Sequence, residues 1–339
     1  MTLFMDLKVQ KIAILGAGSW GTAIALHLAN HGYLVNLWSH NAIHVHKMQK
    51  DQQNKPYLPD IHFPRNLTPC VSYEKAITNV DFVLIAVPSH AFAKILNQLL
   101  QPPKLGIAWL TKGLDPATHL LLHELIKAKW GQNYPIAVIS GPSFAKEVAK
   151  SLPTAIVVAG NDPGYFTKVR DLLHHGNMRV YTSDDYIGVQ ICGAVKNVLA
   201  IACGISDGLN YGANAKAALI TRGLAEMTRL GISLGAKIET FLGLAGVGDL
   251  VLTCTDNQSR NRRYGLLIGQ GKSLAAAEQD IGQVVEGKYN AKQICQLAQE
   301  QQVEMPICTV VNEILQGKVS AQEAVIQLMQ RPVKHEYIS

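Results

Sequence analysis

The chain has 339 residues, 48% hydrophobic and 17% charged, which is long enough for two domains; a globular protein of this size buries roughly three quarters of its unfolded surface. Its formal net charge of +6 comes from Lys and Arg spread along the sequence without a long basic run, which argues against nucleic acid as a partner and suits small anionic ligands. The six cysteines include no Cys-x-x-Cys pair and the twelve histidines no metal-ligand spacing, so a reducing compartment and no metal are expected.

Residues 1–10 carry Asp6 and Lys8 where a signal sequence needs an apolar core, and no stretch approaches about 18 uncharged apolar residues. A soluble, cytoplasmic protein with no integral membrane segment is expected. From residue 11 to about 182, short β-branched runs alternate with helical patterns, the rhythm of parallel strands joined by crossover helices. The expected strands are Lys11–Leu15, Leu34–Trp38, Phe82–Val87, Gly106–Leu110, Ile136–Ile139, Ala155–Val158 and Met178–Tyr181. Pro56, Pro59, Pro64 and Pro69 oppose a helix between Asn54 and Cys70, a stretch expected to run over the sheet edge. After about residue 184 amphipathic patterns take over, such as Asn214–Leu234, with Arg222, Glu226 and Arg229 on one polar face. Residues 331–339 read as a polar tail.

The first apolar run, Ile12 to Leu15, meets Gly16-Ala17-Gly18-Ser19-Trp20-Gly21. At this glycine content a Gly-x-Gly-x-x-Gly match arises by chance in roughly one chain in five, so its context must carry the argument. Here it follows a strand and opens a helix at Thr22–Leu28. Gly16 can make the tight turn, Gly18 can admit a pyrophosphate, and Gly21 can bring helix and strand together, with N–H groups at the helix start facing the phosphates. The fold class is therefore α/β: a Rossmann-like doubly wound sheet over residues 1–183, followed by an all-helical domain over 184–339. The second strand ends Trp38-Ser39-His40 without the acidic residue that an NAD-selective site presents to the ribose 2′-hydroxyl. NADPH is accordingly expected to be accepted at least as well as NADH, with Ser39 and His40 beside the 2′-phosphate; His40 as an ordinary surface residue is the alternative.

Further along, Lys112 follows a strand and precedes Gly113, at an edge where lysines meet ligands, although a solvated loop lysine gives the same pattern. Ser140-Gly141-Pro142-Ser143-Phe144-Ala145 ends another strand in small residues that let a ligand approach; a simple turn explains it equally. Lys196-Asn197 lies in an otherwise apolar helix, where an ammonium costs several kcal/mol unless it is compensated or snorkels to water. Such lysines shift their pKa and serve in proton transfer. Asp249 follows Gly243, Gly246 and Gly248 and either projects from a tight loop or caps a helix beginning at Leu250. Ser259-Arg260-Asn261 precedes an apolar run, so helix-start N–H groups and a guanidinium can grip a phosphate; a plain surface helix start is the alternative. Arg262 and Arg263 read as solvated.

Taken in order with Lys196-Asn197-Val198-Leu199-Ala200-Ile201 and Gly246-Val247-Gly248-Asp249-Leu250, these motifs closely resemble the bacterial NAD(P)-dependent glycerol-3-phosphate dehydrogenases from about residue 10 to about 320. Ala217 to Leu224 and Val284-Val285-Glu286-Gly287 add to the likeness. The resemblance implies reversible reduction of dihydroxyacetone phosphate to sn-glycerol 3-phosphate, for glycerophospholipid synthesis, with NAD(H) or NADP(H). It implies Lys196 as proton donor and acceptor. Lys112, Gly141, Ser143, Asp249, Ser259, Arg260 and Asn261 are the implied substrate contacts. Ser19, Trp20, His40, Lys112, Ala145, Arg260, Val284 and Glu286 are the implied cofactor contacts. Asp249 and Asn197 would then hold the ammonium and substrate hydroxyl in register, and a homodimer is the expected assembly. Two other readings stand beside it: a lysine-dependent dehydrogenase of non-phosphorylated hydroxy or keto acids, and an NAD(P)-sensing module that binds without turnover.

Overall fold

The computed structural model describes residues 10–332; residues 1–9 of the N-terminal reading, and the expected tail from 333 on, lie outside them. Among the described residues there are ten strands: β1 Lys11–Leu15, β2 Leu34–Trp38, β3 Gln53–Asn54, β4 Leu58–His62, β5 Leu67–Cys70, β6 Phe82–Ile85, β7 Ile107–Trp109, β8 Ile136–Ser140, β9 Thr154–Gly160 and β10 Met178–Ser183. Eight form one sheet in the order β10-β9-β8-β7-β6-β1-β2-β5, while β3 and β4 make a separate antiparallel hairpin. The sheet and the helical region that follows match the expected class.

Alternation along the strands sorts the core. Ile12 and Ile14 face the helix Ser19–Asn30, and Ala13 and Leu15 point to the other side, into a core shared with Phe92 and Trp109. The chain runs from β1 outward through β2 to β5, then returns to β6 on the opposite side of β1, so the switch point where doubly wound sheets bind ligands lies between β1 and β6.

Two expectations need correction. The sheet is not parallel throughout: β8 pairs antiparallel with β9, and β10 runs parallel to β9. The connection from β8 to β9 holds a single short helix, Ala145–Ala149, whose five residues rise about 8 Å and so do not carry the chain back along the sheet for a parallel return. The Pro-rich stretch does leave the sheet, as the β3–β4 hairpin, but β5 rejoins it beside β2. Pro69 is tolerated there because β5 is an edge strand.

From residue 186 on, the structure is helical. The central helix, Tyr186–Gly208, is N-capped by Asp185, whose carboxylate accepts from the N–H of Gly188 at 2.8 Å. With 23 residues, and a mean hydropathy of 1.6 over an 18-residue window, it is long and apolar enough to cross a membrane, yet 94% of that window is buried inside the fold, which makes it a core helix. It crosses the helix Arg260–Gly269 at backbone contact: a Cβ on Gly204 would lie 2.0 Å from the Arg262 carbonyl oxygen, and one on Gly265 would lie 2.1 Å from that of Ile201. The helix Gly212–Ser233 covers the expected segment, but its polar face is not all solvated. Glu226 is 1% exposed and accepts from the N–H groups of Ile307 (2.6 Å) and Cys308 (3.2 Å), at the start of the helix Pro306–Leu315.

Candidate active site

The glycine loop is built for close approach. Gly16 has φ +131° and donates its N–H to the Trp38 carbonyl at 3.0 Å; a Cβ there would lie 2.6 Å from the Ala86 backbone, and one on Gly21 would lie 2.0 Å from the Gly16 oxygen. A Cβ on Gly18 would meet nothing within 4 Å, so the loop is tight against β1 and β6 and open in front of Gly18. This cradle fits the diphosphate of a dinucleotide. Ser19 donates to the Tyr57 carbonyl at 3.3 Å, and the indole N–H of Trp20 is buried without a hydrogen-bond partner. At the end of β2, His40 is exposed, while Ser39 is buried and its hydroxyl oxygen accepts from the Asn41 N–H at 3.4 Å.

Across the same edge of the sheet, the ends of β7 and β8 meet the helical region. Lys112 reaches over Gly193 of the central helix, its Nζ donating to Asp249 Oδ2 at 2.8 Å and to the Gly141 carbonyl at 3.3 Å. Lys196 Nζ donates to Asp249 Oδ1 at 2.5 Å and to Thr253 Oγ1 at 3.0 Å. One carboxylate therefore holds two ammoniums, one on each oxygen. The Lys196 and Asp249 side chains are 7% and 2% exposed, so lysine snorkelling does not describe this pair. Burial lowers the Lys196 pKa to about 7; Lys112 presses the same way and Asp249 opposes. Burial alone would raise the Asp249 pKa, but the two lysines outweigh it and hold the carboxyl below the usual range.

One turn of π-helix, Leu244–Gly248, delivers Asp249 as the first residue of the helix Asp249–Thr255. The N-cap of that helix is Gly248, so Asp249 is not the cap, and its carboxylate faces the lysines. Gly141, with φ +125°, also accepts from the Ser143 hydroxyl at 2.9 Å, and Ala145 opens the short helix that follows.

At the far side, Ser259 caps the helix Arg260–Gly269 by accepting from the Arg262 N–H at 3.2 Å. Arg260 donates to Gln283 Oε1 at 3.1 Å, and burial lowers its pKa, with Glu286 opposing. Asn261 donates to Asn197 Oδ1 and accepts from the Gly287 N–H, both at 2.9 Å. Glu286, at the start of the helix Glu286–Glu300, accepts from Ser89 Oγ at 3.3 Å; burial raises its pKa to about 7 against Arg260 and Ser89. Val284 is 38% exposed beside it.

Two side chains lie elsewhere than the sequence pattern suggests, and others carry no such pattern. Asn197 does not touch the Lys196 ammonium: its amide donates to the Gly193 carbonyl at 3.1 Å and its oxygen serves Asn261, because neighbouring positions on a helix point about 100° apart. Arg262 is buried and paired with Asp207, not solvated, whereas Arg263 is exposed. Thr253 was missed, although its place four residues after Asp249 puts both on one helix face. Gln283 and Ser89 left no comparable signal, since their partners lie 23 and 197 positions away.

Two family models cover most of the chain: the N-terminal part of NAD-dependent glycerol-3-phosphate dehydrogenase matches residues 11–165, and its C-terminal part matches 185–326. A Legionella pneumophila protein named glycerol-3-phosphate dehydrogenase [NAD(P)+] is 63% identical over 330 residues, covering 97% of this chain and 100% of the relative. The crystal structure of glycerol-3-phosphate dehydrogenase from Coxiella burnetii superposes with a TM-score of 0.92 at 50% identity, covering 95% of this chain and 99% of that one. The corresponding yeast enzyme, from Saccharomyces cerevisiae, superposes with a TM-score of 0.80 at 26% identity, covering 95% and 100%. On these matches the chain belongs to the NAD-dependent glycerol-3-phosphate dehydrogenase family.

Proposed function

We propose that this chain catalyses the reversible reduction of dihydroxyacetone phosphate to sn-glycerol 3-phosphate with NAD(H) or NADP(H), Lys196 acting as general acid in reduction and general base in oxidation. The observation that carries this reading is the buried Lys196 ammonium, brought to a pKa of about 7 and held on Asp249. A general acid works best with a pKa near the operating pH. When bound, the reduced nicotinamide supplies the hydride. As charge develops on the carbonyl oxygen, Nζ of Lys196 stabilises it and passes it a proton; in oxidation the neutral amine takes the hydroxyl proton back. Lys112 adds positive potential at the same oxygen, and Asp249 keeps both ammoniums in place.

Ser259, Arg260 and Asn261, with the N–H groups at the helix start, are assigned to the substrate phosphate, and Gly141 and Ser143 to the rest of the substrate. Anchoring the phosphate away from the reacting carbon positions the carbonyl. Gly16, Gly18, Ser19, Trp20 and Gly21 would hold the diphosphate, His40 with Ser39 the 2′-phosphate, and Lys112, Ala145, Arg260, Val284 and Glu286 the remaining cofactor groups. Residues 1–183 then form the dinucleotide domain and 184–339 the substrate domain, a division supported by the sheet ending at Ser183. A cytoplasmic homodimer supplying the glycerophospholipid backbone completes the reading. Oxidation of NADH and of NADPH, each followed with dihydroxyacetone phosphate and with dihydroxyacetone, tests it. Turnover that requires the phosphate supports the reading, and equal rates with dihydroxyacetone contradict it.

A further inference from the structure

The β3–β4 hairpin lies against the glycine loop, and one side chain ties it there. Asn54 is 0% exposed, and its amide is used at both ends. Nδ2 donates to the Ala17 carbonyl at 2.9 Å and to Thr22 Oγ1 at 2.7 Å, while Oδ1 pairs with His44 Nε2 at 2.8 Å. A backbone carbonyl can only accept, so the atom facing Ala17 is the amide nitrogen; Oδ1 then faces His44, whose Nε2 must carry a hydrogen. His44 is itself fixed at the start of the helix Ala42–Asp51, where its N–H donates to Asn41 Oδ1 at 3.0 Å. The hairpin is thus fastened to the loop by a fully satisfied, buried amide whose orientation is determined.

The consequence falls on the next atom along the backbone. The Ala17–Gly18 peptide is trans and planar, so its C=O and N–H point in opposite directions. With the Ala17 oxygen held by Asn54, the Gly18 N–H is turned away from the hairpin. Gly18 is the loop residue whose side-chain position is open for 4 Å. A peptide free to rotate would present its carbonyl oxygen to a diphosphate in some of its states, and two negative groups would then face each other.

We propose that Asn54 is a positioning residue for the cofactor diphosphate: it locks the Ala17–Gly18 peptide with its N–H toward the bound anion, and His44 locks Asn54. The inference rests on the reading of Gly16 to Gly21 as the diphosphate cradle. Asn54 touches no ligand itself. Its effect is confined to ligands that carry the diphosphate, which separates it from a residue that merely stabilises the fold.

The test compares dissociation constants of NADH and ADP-ribose, measured by calorimetry, with that of adenosine, which lacks both phosphates and is titrated by NMR. Asn54→Leu, of similar size but without the amide, is expected to weaken NADH and ADP-ribose by about 10- to 100-fold, the range for a lost hydrogen bond to a charged group. Adenosine should change less than about twofold, within the spread of a surface substitution. His44→Phe removes the lock and leaves Asn54, so it should shift the same ratio in the same direction by less. This second variant decides the matter alone if Asn54→Leu does not fold. An unchanged ratio of ADP-ribose to adenosine affinity in the folded variants overturns the proposal. Failure of the unaltered protein to bind ADP-ribose overturns the cradle reading beneath it instead.

Discussion

Lys196 Nζ stands 2.5 Å from Asp249 Oδ1, a buried pair that spans 53 positions of sequence and joins the central helix to the helix Asp249–Thr255. Lys112 takes the other oxygen of the same carboxylate from the sheet edge. The group assigned to proton transfer is therefore tuned by both halves of the molecule.

Reaction direction should set the sign of the pH dependence. Reduction needs the Lys196 ammonium and oxidation the free amine, and the pKa lies at about 7. The kcat/KM for reduction should fall as pH rises through about 7, and that for oxidation should rise over the same interval. Asp249→Asn removes the charge that opposes the lowering, so both inflections should move to lower pH. Rate profiles of the two proteins check this; inflections that coincide would count against the assignment.

Thr253→Val removes the hydroxyl that accepts from Lys196 at 3.0 Å while keeping the side-chain shape. A hydrogen bond to a charged group is worth about 1.5–3 kcal/mol, so kcat should drop by about 10- to 100-fold, and Thr253→Ser should recover most of it. Equal kinetics for Val and Ser would show that the hydroxyl does not matter.

Because Arg260 is also assigned to the cofactor, Arg260→Ala should lower kcat/KM with both substrates, but by about 1.5–3 kcal/mol more with dihydroxyacetone phosphate than with dihydroxyacetone. Steady-state kinetics with the two substrates measure the difference. A variant that loses the same factor with both would place Arg260 away from the phosphate.

Glu226 bears on stability. Its pKa is raised from 4.5 to about 7 by burial, against the two N–H donors at the start of the helix Pro306–Leu315. A carboxyl whose folded pKa lies above its unfolded value binds more protons when folded, so its contribution is fully present below 4.5 and is lost as pH rises through about 7. Thermal unfolding midpoints should fall across that window, and Glu226→Gln, which keeps an acceptor without the charge, should flatten the fall. A variant curve as steep as the original would assign the slope to other groups.

Much of the fold was legible because local pattern and tertiary role agree. Lys11–Leu15 and Leu34–Trp38 are apolar runs closed by turn residues, and both strands form with those bounds. The reversal of β9 was not legible, since strand direction depends on how the short segment after Gly141 folds back, not on the composition of Thr154–Gly160. Lys196 stood out because an ammonium in a greasy helix violates the local pattern. Glu226 reads as a surface residue because its helix is amphipathic by sequence, while its burial comes from a helix start 81 positions away. Asn197 is adjacent to Lys196 in sequence, yet helical geometry sends its side chain to another face.

The most direct measurement is single-turnover reduction of dihydroxyacetone phosphate by Lys196→Met carrying prebound NADH. A folded variant that binds NADH normally should turn over about 10²- to 10⁴-fold more slowly, the usual contribution of a positioned general acid. Near-normal turnover would contradict the assignment of the proton to this nitrogen.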